Sequence, residues 1–161
     1  MNILKIQQDL VKALLKGEQV KYSEDFTETK VFVTIDGRVG YVLRKEDLIV
    51  SLENAQTCMD MDLESVVGPS YKLTGTDEYR RSGTARRFVY KDEVSGEVRD
   101  EDVYIDTGLI KYFDRPTFYK NPRYATDFCV VTEDIYGTGE QIVVGCVAPV
   151  IIKEAQKDFE V

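Results

Sequence analysis

An Asp-Gly pair between two strand-like runs is the feature of this chain that most restricts its fold. Residues 30–35 and 38–43 are rich in β-branched and aromatic side chains, and Asp36 and Gly37 stand between them. The two central residues of a tight hairpin turn must accept positive φ, which Asp and Gly tolerate better than most residues. The pattern therefore predicts an antiparallel β-hairpin over residues 30–43.

Further strands and two helices are predicted from the same reading of apolar spacing. Strands are predicted at residues 3–6, 19–22, 71–74, 86–90, 102–105, 127–132 and 141–152. A helix is predicted at residues 7–16, because Leu10, Val11, Leu14 and Leu15 repeat at helical spacing. A second, short helix is predicted at residues 107–113, and each helix directly follows a strand.

The order of these elements repeats along the chain. Residues 1–16 give a strand and a helix before the first hairpin, and residues 102–113 give a strand and a helix before the last one. Two such duplicated units would place both helices on one side of an antiparallel sheet. The sequence therefore predicts an α+β fold, mainly antiparallel, as a single domain over residues 1–152 with a polar tail at 153–161.

The composition fits one folded domain and excludes several kinds of active site. Of the 161 residues, 43% are hydrophobic and 31% are charged, and none is histidine. A Ser-His-Asp triad, a Cys-His pair and a His-ligated zinc site each need an imidazole. We therefore expect a binding protein rather than an enzyme, with no metal and no cofactor.

The cysteines and the apolar runs predict where the protein resides. Cys58, Cys129 and Cys146 are spaced too widely for a CxxC motif, and an odd number of cysteines fits buried thiols in a reducing compartment. No apolar run is long enough to cross a membrane, and the first residues lack the pattern of a secretion signal. We expect a cytoplasmic protein with no membrane partner.

Positive charge is concentrated in two windows of a chain whose net charge is -8. Residues 79–91 carry a charge of +5, from Arg80, Arg81, Arg86, Arg87 and Lys91. Residues 111–124 carry +3, and there the basic residues alternate with aromatic ones. Arginine beside aromatic rings is typical of surfaces that hold phosphates, so both windows are candidate nucleic-acid contacts.

Both windows also have a structural interpretation, which we favour. The arginines of the first window can form a solvated hairpin face that pairs with the neighbouring acids Asp77, Glu78, Asp92 and Glu93. The aromatic residues of the second window can be half-buried strand residues instead of surfaces for base stacking.

Two other motifs are better explained by structure than by chemistry. The acidic run at residues 60–64 lacks the Gly and the polar spacing of an EF-hand loop, which favours an edge strand or a turn. Gly137-Thr138-Gly139 lacks the Gly-Lys-Ser/Thr of a phosphate-binding loop and stands between two predicted strands, which favours a hairpin turn.

Three segments resemble parts of a DNA sliding-clamp domain. Residues 1–15, MNILKIQQDLVKALL, resemble the opening strand and helix of such a domain, and residues 103–113, VYIDTGLIKYF, resemble its second strand-helix unit. Residues 142–152, IVVGCVAPVII, are similar to the final clamp strand, in which a proline interrupts an apolar run. The three segments cover about a quarter of the chain.

The resemblance implies a DNA-associated protein of replication that needs no active site. In clamps, several domains close into a ring, and lysines or arginines on the inner helices touch phosphates of double-stranded DNA without reading bases. The positions that match here are Lys12, Lys16 and Lys111. Six copies of this chain would be needed for a ring of six domains, so the resemblance implies a homo-oligomer or a replication-type protein partner.

The alternative is a small acidic interaction module of a phage or mobile element, such as a DNA mimic. Its carboxylates would bind a basic protein partner. The two interpretations differ in the sign of the charge on the binding surface. A DNA-binding protein depends on the three lysines or on the arginines Arg80, Arg81, Arg86 and Arg87, whereas the acidic module depends on none of them.

Overall fold

The structure is a computed structural model that describes residues 1–24, 26–53, 55–58, 62–92 and 94–152, with the backbone alone at residues 99 and 100. Its elements are the helix α1 (Ile3–Leu15) and the strands β1 (Lys21–Ser23), β2 (Lys30–Thr34), β3 (Val39–Arg44), β4 (Gln56–Thr57), β5 (Lys72–Arg80), β6 (Ala85–Lys91), β7 (Val98–Asp106), β8 (Thr117–Tyr119), β9 (Cys129–Glu133) and β10 (Ile142–Val147). The predicted polar tail at residues 153–161 lies outside the described residues.

The strands of the described residues form one sheet in the order β4-β1-β2-β3-β10-β9-β8-β5-β6-β7. β4 runs parallel to β1, and the other neighbouring pairs are antiparallel. Beyond β10 the chain returns to the far end of the sheet, where the N–H of Val150 donates to the carbonyl of Tyr104 in β7 at 2.8 Å. The sheet is therefore curled between β10 and β7.

The predicted α+β class and the predicted first hairpin are confirmed. β2 and β3 pair in antiparallel register from Lys30 opposite Arg44 to Thr34 opposite Gly40. Gly37 has a φ of +81°, in the left-handed region that the turn requires.

Hydrophobic residues pack on both faces of the central strands. One cluster lies under α1 and contains Ile6 and Leu10, whereas the other lies on the opposite face around Phe32 and Val130. Burial on both faces explains why all five residues of β9 are buried, instead of every second residue. Cys129 and Cys146 are buried here, and burial raises the pKa of each thiol to about 12.

The prediction of a strand at residues 3–6 was wrong, because α1 begins at Ile3. The side chain of Asn2 caps the helix by accepting a hydrogen bond from the N–H of Lys5 at 3.1 Å. Ile3, Ile6, Leu10 and Ala13 also follow helical spacing, and together they face the core. The helical period therefore extends four residues further toward the N-terminus than predicted.

The prediction of a second helix at residues 107–113 was also wrong, because this segment forms successive turns. The carboxylate of Asp106 accepts a hydrogen bond from the N–H of Gly108 at 2.8 Å, which favours a turn over a helix start. The carbonyl of Tyr112 accepts from the N–H of Asn2 at 2.7 Å instead of from a following helical residue. Without this helix, the structure does not confirm the duplicated strand-helix-hairpin units.

Candidate phosphate-binding cleft

The first basic window lies on the β5–β6 hairpin, and its arginines point in different directions. Arg86 and Arg87 are neighbours on β6, so they project from opposite faces of the sheet. The side chain of Arg87 lies 3.0 Å from a carboxylate oxygen of Glu78 and 2.8 Å from one of Asp102. The charge of Arg87 is therefore neutralised, by Glu78 as the structural interpretation expects and by Asp102, which that interpretation does not name.

Arg80 and Arg81 lie at the turn of this hairpin. The Nη1 of Arg80 donates to the carbonyl of Tyr79 at 3.3 Å, and its buried Nε has no hydrogen-bond partner among the described residues. Arg81 has a φ of +52° and donates from Nη2 to the carbonyl of Ile151 at 3.2 Å. The four arginines of the window thus do not share one surface.

Arg86 reaches across β5 at Gly75, where no side chain blocks its path. A Cβ placed on Gly75 would lie only 2.7 Å from Nη2 of Arg86. The Nε of Arg86 donates to the carbonyl of Thr76 at 2.9 Å, and the guanidinium lies 5.3 Å from the ring centre of Phe88. These contacts fix the position of the guanidinium.

A cleft of about 520 Å³ opens beside this guanidinium. β8 has only three residues, and Pro116 before it lacks the N–H that a longer ladder would need. β8 therefore pairs with β5 only at Lys72 and Leu73, and the following residues of β5 border the cleft. The charged side chains that line the cleft are those of Lys72, Arg86 and Arg115, and we name it the basic cleft.

The basic cleft has no carboxylate among its described lining residues. The Nε of Arg115 lies 3.8 Å from a carboxylate oxygen of Asp114, outside the cleft, and both side chains are largely exposed. No hydrogen bond or ion pair joins the Nη atoms of Arg86 to another residue in the part of the chain that the structure describes. Guanidinium donors are therefore available to a phosphate or carboxylate group of a ligand.

The aromatic residues around the basic cleft support the arginines instead of offering open ring faces. Phe88 and Phe118 are each 4% exposed, and their rings meet edge to face with centroids 5.0 Å apart. Tyr119 is buried as well, so Phe118 and Tyr119 are strand residues, whereas Tyr124 of the same window is 58% exposed with the guanidinium of Arg123 4.8 Å from its ring centre. Phe88 therefore holds the guanidinium of Arg86 in place and offers no open ring face.

Lys12, Lys16 and Lys111 lie on another part of the surface. Lys12 is exposed on α1, and Lys16 is exposed at its C-terminal end. Lys111 is exposed in the turns that replace the predicted helix, with its Nζ 5.1 Å from the ring centre of Tyr112. The hydroxyl of Tyr112 donates to the carboxylate of Asp9 on α1 at 2.5 Å, which joins the Lys111 segment to the helix.

Lys120, a basic residue of the second window, is only 2% exposed and has a structural role. The Nζ of Lys120 donates to the carbonyls of Asn121 at 3.1 Å and Tyr124 at 2.6 Å. The backbone carbonyl of Lys120 accepts a hydrogen bond from the hydroxyl of Tyr90. Burial lowers the pKa of Lys120. Its ammonium group therefore holds the loop after β8 and does not contribute to a surface charge.

The described residues of the acidic run and of Gly137-Thr138-Gly139 form turns, as predicted from the sequence. Residues 60 and 61 of the acidic run lie outside the described residues, and Glu64–Val66 form a single 3-10 turn. The carboxylate of Asp134 accepts from the N–H groups of Thr138 at 3.1 Å and Gly139 at 2.8 Å, which fixes the turn between β9 and β10.

Comparisons of the chain with protein-family models, curated proteins and solved structures found no match. Among the described residues, no helix has the length and apolar character needed to cross a membrane.

Sequence reasoning identified two of the three cations in the basic cleft and missed the third. Arg86 came from the first basic window and Arg115 belongs to the second, and the structure brings these two windows together. Lys72 is an isolated cation in the sequence, so no local charge pattern marks it. Only the pairing of β5 with both β6 and β8 places these three residues around one space.

Proposed function

We propose that the protein is a non-enzymatic DNA-binding protein that holds backbone phosphates in the basic cleft without reading bases. The observation that carries the proposal is the convergence of Arg86, Arg115 and Lys72 on one cleft whose described lining contains no carboxylate. Phosphate contacts provide affinity that does not depend on sequence, which matches a cleft lined by cations and strand residues.

The fixed position of Arg86 supports phosphate as the ligand group. A guanidinium can donate two parallel hydrogen bonds to a phosphate, and less entropy is lost when the side chain is already held in place. The bond to Thr76 uses only Nε, so both Nη atoms remain available to a ligand. The net charge of -8 would weaken DNA binding elsewhere on the surface and would direct the backbone toward this cleft.

The sliding-clamp resemblance now supports a DNA partner more than it supports a ring. A clamp-like lining needs helices from both halves of the domain, and turns occupy residues 107–113. Lys12, Lys16 and Lys111 stay candidate phosphate contacts on the α1 side, and self-assembly into a ring stays a prediction. The proposal therefore assigns the main phosphate contacts to the basic cleft.

Fluorescence anisotropy with a labelled DNA of about 20 nucleotides, as a single strand and as a duplex, tests the proposal. We expect the double variant Arg86→Gln/Arg115→Gln to bind about tenfold more weakly than the natural chain at low salt. The slope of log K against log salt should also become shallower, by about 0.9 per lost phosphate contact for a duplex and about 0.7 for a single strand. Thermal melting of each variant checks that the fold is kept.

Arg38→Gln/Arg44→Gln is the matched control. The side chains of Arg38 and Arg44 are 61% and 60% exposed and do not line the basic cleft, so this change removes the same two charges on another part of the surface. The control should keep most of the affinity and the original salt slope. Equal losses in both variants would show that only net charge matters, and unchanged binding in the double variant would move the site to Lys12, Lys16 and Lys111. Absence of DNA binding at low salt would favour the acidic interaction module.

A further inference from the structure

An apolar groove runs along the side of α1 that does not face the core. Leu4, Val11 and Leu15 are 61%, 41% and 82% exposed, and their spacing of seven and four residues places them on one stripe of the helix. Leu4 and Val11 line a groove of about 470 Å³, Ile49, which is 81% exposed, lies across it, and Leu15 continues the apolar stripe beyond its end. Exposed apolar residues that form one contiguous patch are typical of a binding surface. We name this surface the α1 groove.

The far wall of the α1 groove is fixed to the helix. Gln7 is 5% exposed, and its Nε2 donates to the carbonyl of Asp47 at 2.7 Å. Its Oε1 accepts from the N–H of Ile49 at 2.7 Å. Since one side chain holds the backbone at both positions, Ile49 is kept in an exposed position beside the apolar stripe. The groove is therefore preformed, and a ligand does not have to order it.

A second stripe on α1 determines which ligand fits. Lys5, Lys12 and Lys16 are exposed and follow the same spacing of seven and four residues, so they form a row next to the apolar stripe. The carboxylate of Asp9, which lies on the same side, is bonded to the hydroxyl of Tyr112. The surface thus combines an apolar groove with a basic border, although the whole chain has a net charge of -8.

We propose that the α1 groove binds an amphipathic helical segment of a partner protein, with apolar residues on one face and acidic residues beside them. A helix can lay its apolar face into such a groove and set its carboxylates against the lysine row. The apolar stripe spans twelve residues, about 17 Å at 1.5 Å per residue, which is enough for a helix of three turns. An antiparallel second copy fits less well, because its lysine row would face that of the first copy.

The binding of two synthetic peptides tests this proposal independently of DNA. Both are labelled helices with leucines at positions i, i+3, i+4 and i+7, and the remaining positions are glutamate in one peptide and lysine in the other. The glutamate peptide should bind and the lysine peptide should not. Leu15→Glu and Ile49→Glu should each weaken binding of the glutamate peptide by about tenfold, because each replaces a buried apolar contact by a charge.

Charge reversal and a matched control make the test specific. The double variant Lys12→Glu/Lys16→Glu should lose the glutamate peptide and gain the lysine peptide. Val94→Glu should bind like the natural chain, since Val94 is 99% exposed and does not line the groove. Equal binding of both peptides, or unchanged binding by Leu15→Glu, would overturn the proposal.

Two other occupants of the groove give distinct results. A dimer in light scattering that Leu15→Glu converts to a monomer would replace the partner helix by a second copy of this chain. Displacement of the glutamate peptide by duplex DNA would assign the lysine row to phosphates. Neither result depends on Arg86 and Arg115, so the failure of this proposal can be distinguished from the failure of DNA binding in the basic cleft.

Discussion

The N–H of Ile49 donates a hydrogen bond of 2.7 Å to the side chain of Gln7, which is buried in the middle of α1. The same side chain also donates to the carbonyl of Asp47. One glutamine therefore satisfies two backbone groups that a neighbouring strand would otherwise bind. Polar side chains are rare in a helix face that packs on a core, and here the two backbone groups explain the exception.

Gln7→Leu should therefore lower the free energy of unfolding by about 2–3 kcal/mol, although leucine is the better residue for an apolar core. The substitution leaves an N–H and a carbonyl without a partner, and each costs about 1–3 kcal/mol when it stays buried. Urea unfolding measures the change. Gln8→Leu, on the exposed side of the same turn, is the control and should change stability by less than about 0.5 kcal/mol. Equal effects of the two changes would mean that the bonds of Gln7 contribute nothing.

Arg87 and Arg86 should have opposite roles, although they are adjacent in the sequence. Arg87 pairs with Glu78 and Asp102, so Arg87→Gln should lower stability by about 1 kcal/mol and leave DNA affinity close to that of the natural chain. Arg86→Gln should lower DNA affinity and change stability less. Urea unfolding and DNA anisotropy on both variants give the comparison. A loss of DNA affinity in Arg87→Gln as large as that in Arg86→Gln would contradict this division.

This division shows what local sequence patterns could and could not predict. The Asp36-Gly37 turn and the β2–β3 hairpin were predictable, because both depend on residues within about ten positions of one another. The start of α1 was not, since Ile3 and Ile6 fit a strand as well as a helix until the core and the Asn2 cap decide between them.

The basic cleft depends on contacts between residues distant in the sequence. A charge window marks Arg86 and Arg87 equally, and the pairing of β6 with β5 and β7 neutralises Arg87 through Glu78 and Asp102. The opposite side of the hairpin places Arg86 beside Arg115, 29 positions further along the chain. The sequence therefore shows which residues are cationic, whereas the order of strands in the sheet determines which of these residues stay available to a ligand.

Tyr112 should make stability depend on pH in alkaline solution. Its hydrogen bond to Asp9 raises its pKa from 10 to about 12, with burial as a smaller cause. The folded chain then holds this proton more tightly than the unfolded chain. The stabilising contribution is complete below about pH 10 and is lost as the pH rises toward about 12.

Urea unfolding between about pH 8 and about pH 11 measures this dependence. Tyr112→Phe, which removes the titrating hydroxyl, should show a smaller loss of stability over this range than the natural chain. Asp9→Asn should reduce the loss as well, since it removes the negative charge that holds the proton. The same slope in all three proteins would show that the bond between Tyr112 and Asp9 has no effect on folding.

Gly75→Ala should reduce DNA affinity without removing any charge. A Cβ at this position would lie 2.7 Å from Nη2 and 2.8 Å from Cζ of Arg86, so the guanidinium must leave its place over Phe88. We expect a loss of affinity of about threefold to tenfold and a small change in stability, because the end of a flexible side chain can move. Gly68→Ala is the matched control, since a Cβ there meets no atom within 4 Å and its φ of -169° is ordinary extended backbone. DNA anisotropy and urea unfolding on both variants separate the two effects. If Gly75→Ala binds DNA as tightly as Gly68→Ala does, the fixed position of Arg86 is not what gives the basic cleft its affinity.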